Sequence, residues 1–490
     1  MNIEVSTGTS SNRIKKYWKK CVGSCHAATA LREDWRRQLK TCREEFGFEY
    51  VRFHGILNDD MSVCLRNEDG SLEYSFFNID SIFDFLLGIG MKPFIELSFM
   101  PAALASGSKT TMHYKANITP PKSYDEWADL NGALACHLIQ RYGAEEVRTW
   151  FFEIWNEPNL DLFWTGTMEE YFQLYKSAVL AIKKADSKLM VGGPATAIDA
   201  WIPELKAFCA ENGLPLDFIS THHYPTDAAY GKGLNMEEQM SRSKRGVLTV
   251  RLQKALEEAY PLPVYYTEWN NSPSPRDSYH DDPYNAAFIV KTITDSLKQL
   301  DCNLLECYSF WSFSDIFEEC GFSSEPFHGG FGLMNIYGIP KPSYRAFQML
   351  SRLSGECLEA VVDENSTIDC FACQDENNTV ILISNYQVPL SPIKEERVSL
   401  RITGIKGVKS VILERIDESH ANPKKVWMEI GSPTYPDNRQ IQALMKASEM
   451  IQEKAEWTVD EEGLLININI KPFSVVAVYI ESSCDCVKQH

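Results

Sequence analysis

The stretch Thr149-Trp150-Phe151-Phe152-Glu153-Ile154-Trp155-Asn156-Glu157-Pro158-Asn159 is a strand-type aromatic run that carries two glutamates and stops at a proline, which cannot continue a paired strand. It lies between two amphipathic stretches of helical period, 124–142 and 168–185. Working outward, strand-type runs recur at 21–26, 50–54, 93–98, 189–193, 218–224, 264–268 and 304–311, which makes eight with 149–155. Helix-type stretches alternate with them at 31–46, 78–88, 201–212, 236–260, 284–300 and 343–353. Asp282-Pro283 and Lys341-Pro342-Ser343 supply two helix starts. Such alternation predicts a parallel sheet with helical crossovers, and eight strands close a barrel. The fold class is therefore α/β, a (β/α)8 TIM barrel, with a doubly wound sheet as the alternative.

Beyond Gly355 the pattern changes to strand after strand, at 379–385, 398–403, 410–416, 464–470 and 475–480, with one helical stretch at 437–455. An accessory C-terminal β-sandwich follows. The expected division is a catalytic barrel over 14–345 and a sandwich over 346–490, the latter completed by an edge strand from 1–12.

Composition narrows the function. Across 490 residues, 48 Lys plus Arg face 67 Asp plus Glu, a net charge of −19, which repels phosphate backbones and makes nucleic acid an unsuitable partner. No membrane partner is expected, because no run reaches the roughly 18 apolar residues that span a bilayer. The opening thirty residues lack a signal-type apolar segment, and with that start the 14 cysteines read as free thiols of a cytoplasmic protein. Cys370 and Cys373 form a C-x-x-C, but in a strand context that does not suit redox chemistry. There is no H-E-x-x-H, and the neighbours His222 and His223 would face opposite sides of a strand, so neither a metal nor another cofactor is expected. Assembly into a homo-oligomer stays open.

Barrel enzymes carry their chemistry at the C-terminal strand ends. Two such ends hold glutamates in aromatic surroundings: Glu157 after strand four, and Glu268 in Val264-Tyr265-Tyr266-Thr267-Glu268-Trp269-Asn270 on strand seven. Facing each other across the barrel mouth, they form the carboxyl pair that glycosidic cleavage needs, one protonated to release the leaving oxygen and one ionised to attack the anomeric carbon.

With Asn156-Glu157-Pro158 and Thr267-Glu268-Trp269-Asn270, the chain resembles retaining glycosidases. Arg52-Phe53-His54-Gly55-Ile56-Leu57-Asn58-Asp59-Asp60-Met61 and Phe327-His328-Gly329-Gly330-Phe331-Gly332-Leu333 narrow the resemblance to glycoside hydrolase family 39, the β-xylosidase family, over nearly the whole chain. The resemblance implies Glu157 as acid/base, Glu268 as nucleophile and Asn156 as donor to the sugar 2-hydroxyl. It implies a retaining exo-acting β-xylosidase whose partner is a small xylooligosaccharide. Related glycosidases of other specificity (β-glucosidase, arabinosidase, α-L-iduronidase-like) and a non-catalytic carbohydrate-binding protein are the alternatives.

Further site residues follow from position. Arg52 and His54 share parity on strand two and point into the barrel, Arg52 toward Glu268 or as a buried partner of Glu153, His54 toward a sugar hydroxyl. His223 and Tyr224 end strand six beside Glu268; Tyr224 would hold that carboxylate or serve as core, with His223 in support. Trp311 ends strand eight as a stacking platform or as ordinary packing. Glu318 and Glu319 on the next loop would accept from sugar hydroxyls, or else be solvated surface. Phe163 and Trp164 are candidates for an outer sugar platform.

Overall fold

In the computed structural model, which describes residues 1–229, 233–300, 303–363, 366–376 and 378–482, eight parallel strands close a barrel in chain order. They are Cys21–His26, Tyr50–His54, Lys92–Leu97, Phe151–Ile154, Met190–Thr196, Phe218–His222, Val264–Trp269 and Leu305–Phe310. Closure brings Phe310 opposite Val22. Each expected strand is present: two, 21–26 and 50–54, keep their bounds, and the ends of the others shift by at most three residues. The expected helix at 236–260 is instead two, Met236–Ser241 and Val247–Ala259, because Gly246 turns left-handed (φ 83°) and Arg245 leaves the helix to bind Tyr386 O, Thr367 O and Asp369 of the C-terminal sheet.

Inside the barrel, side chains of one parity form layers. The lowest is apolar: Cys21, Tyr50, Phe94, Phe151, Phe218, Tyr265 and Cys307 pack together, with Met190 against them. Two residues further along strands two, three, four and seven come Arg52, Glu96, Glu153 and Thr267, all fully buried. This charged layer is where the barrel departs from aliphatic filling. Gly23 on strand one leaves its place in the barrel to the ring of Trp311, since a Cβ there would lie 2.4 Å from Trp311 Cε3.

The C-terminal part is one continuous ten-stranded sheet that curls over its own core of Val398, Leu400, Val411, Leu413, Ile466, Val476 and their neighbours. Strands missed in the sequence include Glu356–Val361 and Trp457–Asp460; the helical stretch is short, Asn438–Ala447, and is preceded by another helix, Pro423–Glu429. Cys370 and Cys373 share strand Ile368–Gln374 but enter different cores. The strand Asn2–Arg13 is not at an edge. It sits inside the sheet, antiparallel to Glu356–Val361 and parallel to Glu396–Thr403, with Val5 opposite Ala360 on one side and Ile402 on the other. Helix Pro283–Gln299 lies between barrel and sheet and is buried along most of its length; Lys291 reaches Asp369 at 3.1 Å and Tyr284 meets Tyr386 hydroxyl to hydroxyl at 3.1 Å.

Candidate active site

Strand four ends in a sharp turn. Trp155 and Glu157 both take left-handed φ angles (72° and 44°), costly for residues with side chains, and the Glu157 N–H is captured by Ala195 O at 2.8 Å. Strand seven solves a different problem. Alternation would send Thr267 inward and Glu268 outward, but the pairing with strand six slips between Thr221 and His222, so that Tyr266 opposes Thr221 and Glu268 opposes His222. The extra residue is a bulge that lets both Thr267 and Glu268 face the barrel.

Arg52 is the hub beneath them. Its Nε donates to Glu153 Oε2 (2.6 Å), Nη1 to Glu268 Oε1 (2.8 Å) and Nη2 to Asn156 Oδ1 (2.9 Å), and Nη2 also forms an ion pair with Glu96 Oε2 at 2.8 Å. Both sequence-based readings of Arg52 are therefore present at once. Tyr224 donates its hydroxyl to the second oxygen of Glu268 (3.0 Å). Burial alone would make His54 harder to protonate, but Glu96, at 2.7 Å from Nδ1, outweighs it and raises the pKa; His54 Nε2 stands 3.7 Å from Glu268 and 3.8 Å from Glu319.

An oxygen of Glu157, Nδ1 of His222 and an oxygen of Glu268 lie within 4.8 Å of one another. Burial, and then the charges of Glu268 and Asp227, push the Glu157 pKa well above the usual carboxyl range. His222 is held well below the usual imidazole range by burial and by the charges of Arg52 and His54. Its tautomer follows from its neighbours. Thr267 donates its single proton to Glu153 Oε1 (2.9 Å), so its oxygen accepts from His222 Nε2 (3.0 Å), which leaves Nδ1 free of hydrogen to accept from a protonated Glu157 at 3.0 Å.

A cavity of about 190 Å³ opens over the pair, with His54, Tyr224, Trp311, Glu319, Phe163 and Phe331 in its walls. Burial raises Glu319 to about 7, with His54 opposing and Glu268 adding. Three expectations need correction. Glu318 does not line the cavity; its carboxylate pairs with His26 Nδ1 at 2.9 Å. His223 turns away, its Nδ1 3.2 Å from Asp199 and 3.3 Å from Asp227, so the imidazole at the carboxylates is His222. Trp164 is no platform: it is buried against Trp155 and donates to Thr167 O. Asn156 is buried beside Arg52. Glu96, His222, Asp227 and Phe331 were not singled out as site residues; strand parity, which separates His222 from His223, was the available signal for the histidine.

Among the described residues two trios bring metal-ligand types together, Glu157-His222-Glu268 and His26-Asp60-Glu318. In both, the imidazole already spends its two nitrogens on protein partners, His222 on Glu157 and Thr267, His26 on Asp60 and Glu318. A cation would have to displace them. Among the described residues no helix is long and apolar enough to cross a membrane.

Comparison with known proteins matches this arrangement to one family. The model for glycosyl hydrolases family 39 covers residues 1–463. The chain is 64% identical over 485 residues to a β-xylosidase of Caldicellulosiruptor saccharolyticus, covering 98% of this chain and 99% of that one. It is 35% identical over 490 residues to a β-xylosidase of Geobacillus stearothermophilus, covering 96% and 94%. It superposes on the crystal structure of the family 39 enzyme from Xanthomonas axonopodis pv. citri with a TM-score of 0.85 at 31% identity, over 98% of this chain and 97% of that one. Barrel and sheet are both included in these matches, and the chain belongs to glycoside hydrolase family 39.

Proposed function

We propose that this chain is a retaining, exo-acting β-xylosidase that releases xylose from the non-reducing ends of β-xylooligosaccharides through a covalent glycosyl-enzyme intermediate. The observation that carries the retaining mechanism is the close approach of the two carboxyls, one oxygen of each lying within 4.8 Å of the other. Direct attack suits that distance, whereas an inverting enzyme keeps its carboxyls about 6.5–9.5 Å apart to admit a water. The β-xylosidases at 64% and 35% identity support the choice of sugar.

The two carboxyls differ in what surrounds them. Glu268 accepts from Arg52 and Tyr224, which aim it as a nucleophile. Glu157, buried and beside that negative charge, keeps its proton. In the first step Glu268 bonds to C1, the C1–O bond to the leaving group breaks, and Glu157 passes its proton to the departing oxygen. The new ester is uncharged, so the pKa of Glu157 falls and the resulting carboxylate takes a proton from water; the hydroxide bonds to C1 and releases Glu268. Arg52 takes the oxygen of Asn156, which assigns its amide N–H to the sugar 2-hydroxyl. Trp311 and Phe163 hold the apolar sugar face, and His54 and Glu319 take hydroxyls.

In this reading the barrel, 14–345, performs the chemistry and 346–490 with 1–12 is its accessory unit. Cys21, Cys25, Cys42, Cys64, Cys209 and Cys307 are buried free thiols, which suits a reducing cytoplasm and short imported oligosaccharides. The test is proton NMR of early hydrolysis of an aryl β-xyloside. β-Xylose must appear before mutarotation, and α-xylose first would refute retention. Efficiency on the xyloside should exceed that on the β-glucoside by at least about a hundredfold, because C6 of glucose must be fitted beside Trp311; parity between the two would refute the choice of sugar.

A further inference from the structure

Away from the carboxyl pair, Lys341 is fully buried with two aspartates, and none of the chemistry above uses it. Its ammonium donates to Asp281 Oδ1 (2.7 Å), Asp315 Oδ2 (2.9 Å) and Gly330 O (2.8 Å). Burial alone would lower its pKa, but the two aspartates outweigh that and raise it. The same carboxylates continue into the main chain: Asp281 Oδ2 accepts from Gly329 N (2.7 Å) and Asp315 Oδ1 from Gly332 N (2.6 Å). Lys341 N donates to Leu333 O, and Asp277 N to Gly329 O. The segment 329–333 is thus tied down along its length.

Its three glycines are what make the ties reachable. A Cβ on Gly330 would lie 2.3 Å from Asp315 Oδ1, one on Gly332 2.4 Å from Asp315 N, and one on Gly329 2.6 Å from the Asp277 backbone, with Gly329 also left-handed at φ +81°. The side chain these glycines surround is Phe331. It lines the sugar cavity and packs against Trp311 and Phe317 at ring separations of 6.5 and 5.1 Å. Buried ion clusters are a poor source of stability, because desolvating the charges consumes most of their attraction; what they supply is a single defined geometry.

The geometry points to Lys341 as a positioning residue: with Asp281 and Asp315 it clamps Gly329-Gly330-Phe331-Gly332 so that the Phe331 ring forms a fixed wall of the sugar cavity. This rests on the proposed xylosidase activity, and wild-type turnover of an aryl β-xyloside tests that separately. A wall touches the sugar equally in ground and transition states, so its loss appears in KM rather than kcat. Lys341→Met should raise KM for the aryl xyloside about tenfold with kcat nearly unchanged. In a Phe331→Ala background the same substitution should change KM less than about twofold, because its route of action is gone. Gly330→Ala crowds the Asp315 carboxylate while leaving Lys341 and both aspartates in the chain, and should reproduce the rise in KM; it serves where Lys341→Met fails to fold. An unchanged KM in either folded variant would overturn the assignment. So would full additivity with Phe331→Ala, or an unchanged KM in Phe331→Ala itself, which leaves the ion cluster untouched.

Discussion

His222 Nδ1 lies 3.0 Å from Glu157 Oε1 and 3.8 Å from Glu268 Oε1, so one uncharged ring touches both carboxyls. As an acceptor it favours the protonated form of Glu157. His222→Asn replaces it with an amide that can donate, which favours the carboxylate, so the alkaline limb of kcat/KM against pH should move down by about one unit. An alkaline limb that stays in place would assign the raised pKa to burial and charge alone.

Glu157 and Glu268 should separate by leaving group. Glu157→Ala should lose about 10²–10⁴-fold on substrates with poor leaving groups and far less on dinitrophenyl xyloside, which departs without a proton. Added azide should restore turnover and yield the β-glycosyl azide. Glu268→Ala should be inactive on both substrates, and equal losses in the two variants on every substrate would refute the assignment.

Glu319 links the cavity to stability. Its pKa rises from 4.5 unfolded to about 7 folded, chiefly through burial, so the folded state holds the proton more tightly. Both states are protonated below pH 4.5. As pH climbs from there through 7 the folded state loses stability, about 3 kcal/mol in all. Glu319→Gln, which never ionises, should match wild type in thermal midpoint at pH 4.5 and exceed it at pH 8, while KM rises. A midpoint difference independent of pH would contradict this origin.

Arg52 is paired with three buried carboxyl groups, Glu96, Glu153 and Glu268. Arg52→Met should cost about 3–5 kcal/mol in urea unfolding, because charges are left buried without a counter-ion. Arg52→Met/Glu153→Gln should recover part of that loss, and no recovery would mean that packing, rather than charge, sets the penalty.

What was legible in the chain followed from local periodicity. The eight strands and the two glutamates at strand ends four and seven needed only alternation and the strand-breaking Pro158. The inward turn of Glu268 was less accessible than its position, because it depends on a slip in pairing with strand six that no local pattern announces. His222 was readable by parity, yet His223 drew attention through its nearness to Tyr224. Glu318 and Glu319 sit on a loop with no period, and only packing decides that one faces the sugar cavity and the other His26. Lys341 read as the start of helix Pro342–Ser351, since nothing adjacent in the chain betrays Asp281 and Asp315.

The strand Asn2–Arg13 lies between two strands made much later, and Thr7 donates to the carbonyl of Thr403, 396 residues away. During synthesis at roughly 5–20 residues per second, that segment leaves the ribosome about 20–80 s before its second neighbour exists. The barrel has all its strands before then; the curled sheet cannot close around Asn2–Arg13 until residues 396–403 are out. Synthesis therefore has a built-in order, in which every barrel strand is made while strand Asn2–Arg13 still lacks residues 396–403 as its neighbour on one side.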